Sequence, residues 1–346
     1  MKLAILKLMS KIKYNQVYPE VMELCDISSI YKLRGSRNSY ENYRGIFRVT
    51  FLRSILDRLI YNDEYETIDE NLTDSNVGAR KHRNIRDNIF VVNAISNSIL
   101  KGKEDDVDIQ IFDIEKCFNA LWAQECINDI YEAGVNNDKL PLLFMANNGK
   151  CSIKVNDGKS ERIVLKNIIM QGTVWGSLYC TTTMDKLAKM MYKDEELMYK
   201  YKGVVETPCL GMVDDLLIVQ KCSTESVKVN AVANAFVEMK KLRFNKDKCH
   251  RIHISKKSKI SQSCPELKIH EDIMKSSSKE KYLGDIIDQN GSSKATLESR
   301  KAKGYAAVSE ILAILKDIPL GSHKMEIGLH LRQAMFINAV LYNSEA

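Results

Sequence analysis

The chain has 346 residues, 45% hydrophobic and 28% charged, enough to fill a core behind a water-compatible surface, and its net charge of +6 is too small to identify a partner by itself. Nine cysteines, an odd number without a C-x-x-C pair, indicate neither a disulfide framework nor a zinc ribbon, and free thiols point to a reducing compartment. With only five prolines and sixteen glycines, no internal repeat and no low-complexity block, the chain has few flexible linkers.

The opening stretch, "MKLAILKLMSKIKYN", is amphipathic but broken by lysines. It lacks the long apolar run of a signal peptide or membrane span, so the expected location is intracellular, in nucleus or cytoplasm, with no membrane partner. From Lys32 to Arg58 basic residues gather: Lys32, Arg34, Arg37, Arg44, Arg48, Arg53 and Arg58, against Glu41 and Asp57. Such a cluster is either the footprint of a polyanion or a solvated basic face. Residues 47–62 and 85–101 carry apolar side chains at helical spacing.

"VDIQIFD" (107–113) alternates as a strand and ends on Asp113. The following segment sets Phe118, Leu121, Trp122, Cys126, Ile127, Ile130 and Tyr131 on one helical stripe, stopped by Gly134. Residues 151–165 read as a hairpin turning at Asn156, Asp157 and Gly158. Residues 175–193 read as a helix, 209–220 as a hairpin, and about 223–242 as another helix. "KCHRIHI" (248–254) and "KYLGDIID" (281–288) read as short strands, and the pattern is helical from Lys294 onward. A second basic cluster comprises Lys240, Lys241, Arg243, Lys246, Lys248, Arg251, Lys256, Lys257 and Lys259. Cys249, His250 and His253 fit no familiar zinc spacing and read as structural. Strands and helices mix without regular β-α-β alternation, which predicts an α+β architecture.

"CLGMVDDLLIVQ" (209–220) puts Asp214 and Asp215 between two apolar runs. Adjacent carboxylates repel, and near a core they need a counter-charge. One reading is a solvated acidic turn. The other brings Asp113 to the same sheet end. Three hard oxygen donors then suit Mg²⁺, and a pair of such ions serves in-line phosphoryl displacement.

Seven segments in order favour the second reading: "IYKLRGSRNSYENYRGI" (30–46), "SNVGARKHRNIRDNIF" (75–90), "FDIEKCFNALW" (112–122), "IIMQGTVWGSLYC" (168–180), "MVDDLLIV" (212–219), "KLRFNKDKCHRIHI" (241–254) and "KYLGDIID" (281–288). Together they resemble the reverse transcriptase of non-LTR (LINE-type) retrotransposons over nearly the whole chain. The resemblance implies a right-hand polymerase: fingers at 1–105, palm at 106–289 with a fingers-side insertion near 135–165, and a partial helical thumb at 290–346. It also implies truncation at both ends, without the endonuclease or cysteine-histidine knuckle that often accompany this family.

By the same resemblance, Asp113, Asp214 and Asp215 would hold two Mg²⁺ ions, with Mn²⁺ as a substitute, and Lys248 would assist the leaving pyrophosphate. Lys32, Arg44 and Arg80 would grip the triphosphate. Phe118 would lie under the sugar and crowd a 2′-hydroxyl. Gln171 and Gly172 would contact the nascent pair and template, and Leu283 and Gly284 the primer end. The implied partners are an RNA template, a DNA primer and dNTPs; the oligomeric state is left open. Departures from the family pattern are Ala79, Asn119, Met170, Thr173 and Val213, none of them a proposed metal ligand. Two alternatives stand beside this reading: a catalytically inactive nucleic-acid-binding remnant, and an RNA-dependent RNA polymerase, against which Phe118 argues.

Overall fold

The computed structural model describes residues 2–33, 35–155, 158–202, 205–207, 209–256 and 264–344. Asn156 and Asp157 of the expected turn, and the cluster residues Arg34, Lys257 and Lys259, lie outside them.

The chain begins with α1 (Lys2–Asn15) and α2 (Glu20–Glu23), then the antiparallel pair β1 (Leu24–Tyr31) and β2 (Tyr43–Val49). The helix expected from 47 starts at α3 (Phe51–Glu70), because Phe47 to Val49 belong to β2. Thr50 caps α3 by accepting from the Arg53 amide at 3.4 Å. Next come α4 (Ile85–Leu100), which Asn84 and Asp87 close with a capping box, and β3 (Val107–Phe112). The predicted single helix after β3 is two, α5 (Cys117–Ala120) and α6 (Ala123–Glu132). Trp122 is extended between them and bridges to Ile168, so a long-range backbone pairing displaces the local helix. Trp122 and Tyr131, placed on the core stripe by periodicity, are 54% and 49% exposed.

After α7 (Leu140–Ala146), β4 (Gly149–Val155) pairs with β5 (Gly158–Lys159), with β6 (Ile163–Leu165) and, in parallel, with β1. These strands make the first sheet. α8 (Val174–Met191) is nearly all buried. A small hairpin of β7 (Tyr199–Tyr201) and β8 (Val205–Thr207) precedes β9 (Leu210–Met212), β10 (Asp215–Lys221) and α9 (Thr224–Met239). The chain continues through β11 (His250–Ile254), β12 (Lys268–Ile269), β13 (Asp272–Ile273) and β14 (Lys275–Ser276). The segment predicted as one strand near 281–288 is a hairpin of β15 (Lys279–Tyr282) and β16 (Asp285–Asp288), turning at Leu283 and Gly284. Helices α10 (Lys294–Lys316), α11 (Ser322–Leu331) and α12 (Asn338–Leu341) end the chain, the last two joined by a π-helical turn.

The second sheet has the order β14-β11-β3-β10-β9. Both its faces are covered. Ile109, Leu217, Val219 and Ile252 pack with Val92, Ile95 and Ile99 of α4. Phe112, Leu216 and Ile218 pack with α6, α8 and α9 on the other side. The alternation in β3 therefore does not mark a wet face, since every residue of the strand is buried. Asp108 and Gln110 are satisfied internally: Arg251 donates to both Asp108 oxygens at 2.8 and 2.7 Å, and Gln110 donates to Ser226. Breaking the Asp108–Arg251 pair from one side would strand a buried charge at a cost of about 3–5 kcal/mol. Arg53 is likewise internal, 2% exposed and paired with Asp57 at 3.3 Å. Lys240 pairs with buried Asp129 at 2.9 Å. The two basic clusters are thus partly structural, while Arg37, Arg44, Arg48 and Arg58 remain exposed.

Candidate polymerase active site

The acidic residues meet because of strand register. Leu216 of β10 sits opposite Phe112 of β3, so the next position along sets Asp215 across from Asp113. The Asp215–Met212 pair closes a two-residue turn made of Val213 and Asp214. Asp214 is half-buried and Asp215 opens toward solvent.

The turn is strained. Val213 has φ of 61°, left-handed geometry that a β-branched residue rarely adopts. It is held by Asn76, which is 3% exposed. The Asn76 amide donates to the Val213 carbonyl at 2.9 Å, and its oxygen accepts from the Val213 amide at 3.0 Å and the Gly78 amide at 2.9 Å. Gly78 has no room for a side chain: a Cβ would stand 2.4 Å from the Val213 nitrogen. The neighbouring strand is fixed in the same manner, as Asn88 donates to the Gly211 carbonyl at 3.0 Å and Tyr282 to the Leu210 carbonyl at 2.9 Å. None of these three polar residues stood out in sequence. Asn76 lies in a quoted segment, but nothing in its spacing says that its amide reaches Val213.

Burial and repulsion from Asp215 and Asp113 push the Asp214 carboxyl up to about 6. Burial, then the charge of Asp113, raises Asp215, while the nearby Lys248 ammonium opposes both shifts. Lys248 donates to Asp113 Oδ2 at 2.7 Å. Asp113 itself is anchored through its backbone, its amide donating to Cys249 Sγ at 3.4 Å and its carbonyl accepting from Asn245 at 2.8 Å. Hard oxygen donors that are crowded, mutually repelling and close to solvent fit divalent cations of the Mg²⁺ type, and the residues present could hold them.

A cavity of about 470 Å³ brings together Asp113, Asp215, Lys248, Arg44, Leu283 and Gly284. Arg44 enters from the first sheet, where it pairs with Ile30. Leu283 and Gly284 are both left-handed, with φ of 47° and 94°. Their hairpin tip is braced by the turn after α12: Asn343 donates to the Leu283 carbonyl at 3.0 Å, and Tyr342 leaves no space beside Gly284.

Half-buried Asp214, at the turn, is not among the residues that line that cavity, and the other expected residues also lie outside it. Lys32 closes the β1–β2 loop, its ammonium donating to the Glu41 carbonyl at 2.8 Å. Phe118, on α5, packs partly against the main core. Gln171 and Gly172 dock on β2, where the Phe47 amide donates to the Gln171 carbonyl at 2.9 Å. Gly172 has φ of 102°, and a Cβ there would stand 2.8 Å from Ile46 Cγ2 and 3.2 Å from the Phe47 carbonyl. Arg80, expected to face the triphosphate, is 8% exposed. Its guanidinium donates to Asp69 at 2.6 Å and to the carbonyls of Thr73 and Asn76. It braces the segment that carries Asn76.

No curated protein is similar enough in sequence to match. Among solved structures, apo telomerase from Candida tropicalis superposes with a TM-score of 0.53 at 14% identity, covering 99% of this chain and 63% of that one. A form truncated from its C-terminal domain gives 0.53 at 14% identity, over 83% of this chain and 59% of that one. The same enzyme in complex with a TWJ fragment of telomeric RNA gives 0.52 at 14% identity, over 96% and 58%. At that identity the likeness establishes a shared polymerase-type fold, and this chain spans about three fifths of those telomerase chains. Residues 36–287 match the family model described as reverse transcriptase (RNA-dependent DNA polymerase), a span that includes all three aspartates and the cavity lined by Asp113 and Asp215. The chain belongs to the reverse transcriptase family.

Proposed function

We propose that this chain is the polymerase core of a non-LTR retrotransposon-type element, adding dNTPs to the 3′-hydroxyl of a DNA primer on an RNA template. The observation that carries the proposal is the register of β3 and β10, which gathers Asp113 and the Asp214–Asp215 turn beside a cavity with a basic wall. In this reading residues 1–105 are fingers, 106–289 palm with an insertion near 135–165, and 290–346 thumb.

Asp113, Asp214 and Asp215 would hold two Mg²⁺ ions. When bound, these supply charge neutralisation and activation for phosphoryl transfer. The chain's own residues position the substrates. Arg44, exposed on β2, offers the triphosphate a rigid fork of donors. Lys248 leaves Asp113 and turns its ammonium to the departing pyrophosphate. Phe118 limits the space at the sugar 2′ position, and Lys32 holds the loop before Arg44. The Gln171–Gly172 turn, docked on the strand that carries Arg44, makes the template contact. The Leu283–Gly284 tip supports the primer end. Catalysis here is positioning and electrostatics.

The test is extension of a DNA primer on an RNA template with dNTPs or NTPs. The proposal expects Mg²⁺-dependent extension with dNTPs, abolished by Asp214→Asn. Equal extension by wild type and Asp214→Asn would reject the site, and preference for NTPs would reject the substrate class.

A further inference from the structure

At the far end of the same sheet from the aspartates, three soft ligands converge. Cys222 follows β10, His253 lies in β11, and Cys264 lies in the segment leading to β12. One ligand atom from each falls within 4.8 Å of the others. Cys264 Sγ is 3.7 Å from His253 Nδ1 and 4.0 Å from Nε2. All three side chains are buried or half-buried.

The histidine is oriented from behind. Asp108 Oδ1 lies 3.1 Å from His253 Nδ1, and Arg251 fixes that carboxylate. A proton on Nδ1 shared with Asp108 leaves the Nε2 lone pair free, which is the carboxylate–histidine arrangement that supports metal ligation. On the Nε2 side stands a fourth donor, Asp106 Oδ2, at 3.9 Å. Asp106 is tied to the first ligand's loop, since its carbonyl accepts from the Cys222 amide at 3.0 Å.

We infer that Cys222, His253 and Cys264, with Asp106 as fourth ligand, form a zinc site separate from the polymerase centre. Tetrahedral zinc with bonds of about 2.3 Å to sulfur and about 2.0–2.1 Å to nitrogen spaces its ligands roughly 3.5–3.8 Å apart. The ligand atoms of Cys222, His253 and Cys264, within 4.8 Å of one another, reach that by shifts of about an ångström, and Asp106, placed beside His253 Nε2, would swing in to complete the set. Two thiolates and an imidazole select Zn²⁺ over the hard cations that the aspartates prefer. The bound ion would pin the end of β10 to β11 and to the chain entering β12, so its role is structural.

Co²⁺ and Zn²⁺ are the probes. The full chain, prepared under reducing conditions, is expected to contain one zinc per chain by elemental analysis. Exchange for Co²⁺ is expected to give the near-ultraviolet charge-transfer band of thiolate ligation. Cys222→Ser and Cys264→Ser, made separately so that one folded variant suffices, should each lose the band and at least tenfold in zinc affinity. Asp214→Asn should keep both. Zinc removal should lower the melting temperature of wild type and leave the serine variants unmoved. The inference is overturned if wild type neither holds nor titrates zinc, if the cysteine variants bind it as tightly as wild type, or if mass analysis finds Cys222 and Cys264 joined as a disulfide in the reduced preparation.

Discussion

Replacing Asn76 by alanine should disable the catalytic turn from outside the site. The side chain makes three hydrogen bonds, two to Val213 and one to Gly78, inside a buried pocket. At about 1 kcal/mol each they contribute about 3 kcal/mol, and the left-handed valine they hold costs about 1–3 kcal/mol. Without the clamp, ordinary φ at Val213 competes with the conformation that aims Asp214. If about 1.4–2.8 kcal/mol of that loss falls on the competent turn, kcat drops about 10- to 100-fold. The remainder appears as a lower melting temperature. The discriminating arm is Val213→Gly, which adopts positive φ at little cost. In the Asn76→Ala background it should recover most of the lost kcat, a coupling that a double-mutant cycle of primer extension measures. Full activity in Asn76→Ala, or no recovery in the double variant, would refute the reasoning.

Gly172→Ala should cost at least tenfold in kcat/KM, because φ of 102° and the approach to Ile46 and Phe47 leave a Cβ no place; a melt close to wild type would locate the damage at the contact of this turn with β2. Arg44→Ala should raise KM for dNTP about tenfold, equivalent to about 1.4 kcal/mol, with kcat less affected, and Arg44→Lys should restore only part of it. Phe118→Val should increase NTP incorporation relative to dNTP in the same assay, whereas a merely structural phenylalanine would lower both alike.

That Asp113 and the Asp214–Asp215 turn share one sheet end was legible because these carboxylates border apolar runs, and paired strands bring run ends together. Helical spacing also located the buried helix α8 and the helical C-terminal region, whereas the β1–β2 hairpin was not expected. What stayed hidden depended on long-range partners. The helical stripe after Asp113 breaks at Trp122 because Ile168 pairs with it. The strand at 281–288 is a hairpin because Leu283 tolerates φ of 47°, which no glycine at that first position advertised. Charge alone could not tell exposed Arg44 from buried Arg53 and Arg80, whose partners Asp57 and Asp69 lie one helical turn and eleven residues away respectively. Asn76 escaped notice for the same reason: its partner at Val213 is 137 residues distant. Cys222, His253 and Cys264 are scattered along the chain, and only the sheet brings them to one end.

The most direct measurement is Mn²⁺ binding followed by electron paramagnetic resonance in the presence of primer–template and a non-incorporable dNTP analogue. Wild type should take up Mn²⁺ at a carboxylate site that Mg²⁺ displaces, and Asp113→Asn and Asp214→Asn should each lose it. Superimposable isotherms for wild type and both variants would contradict the claim that these three side chains gather around divalent cations.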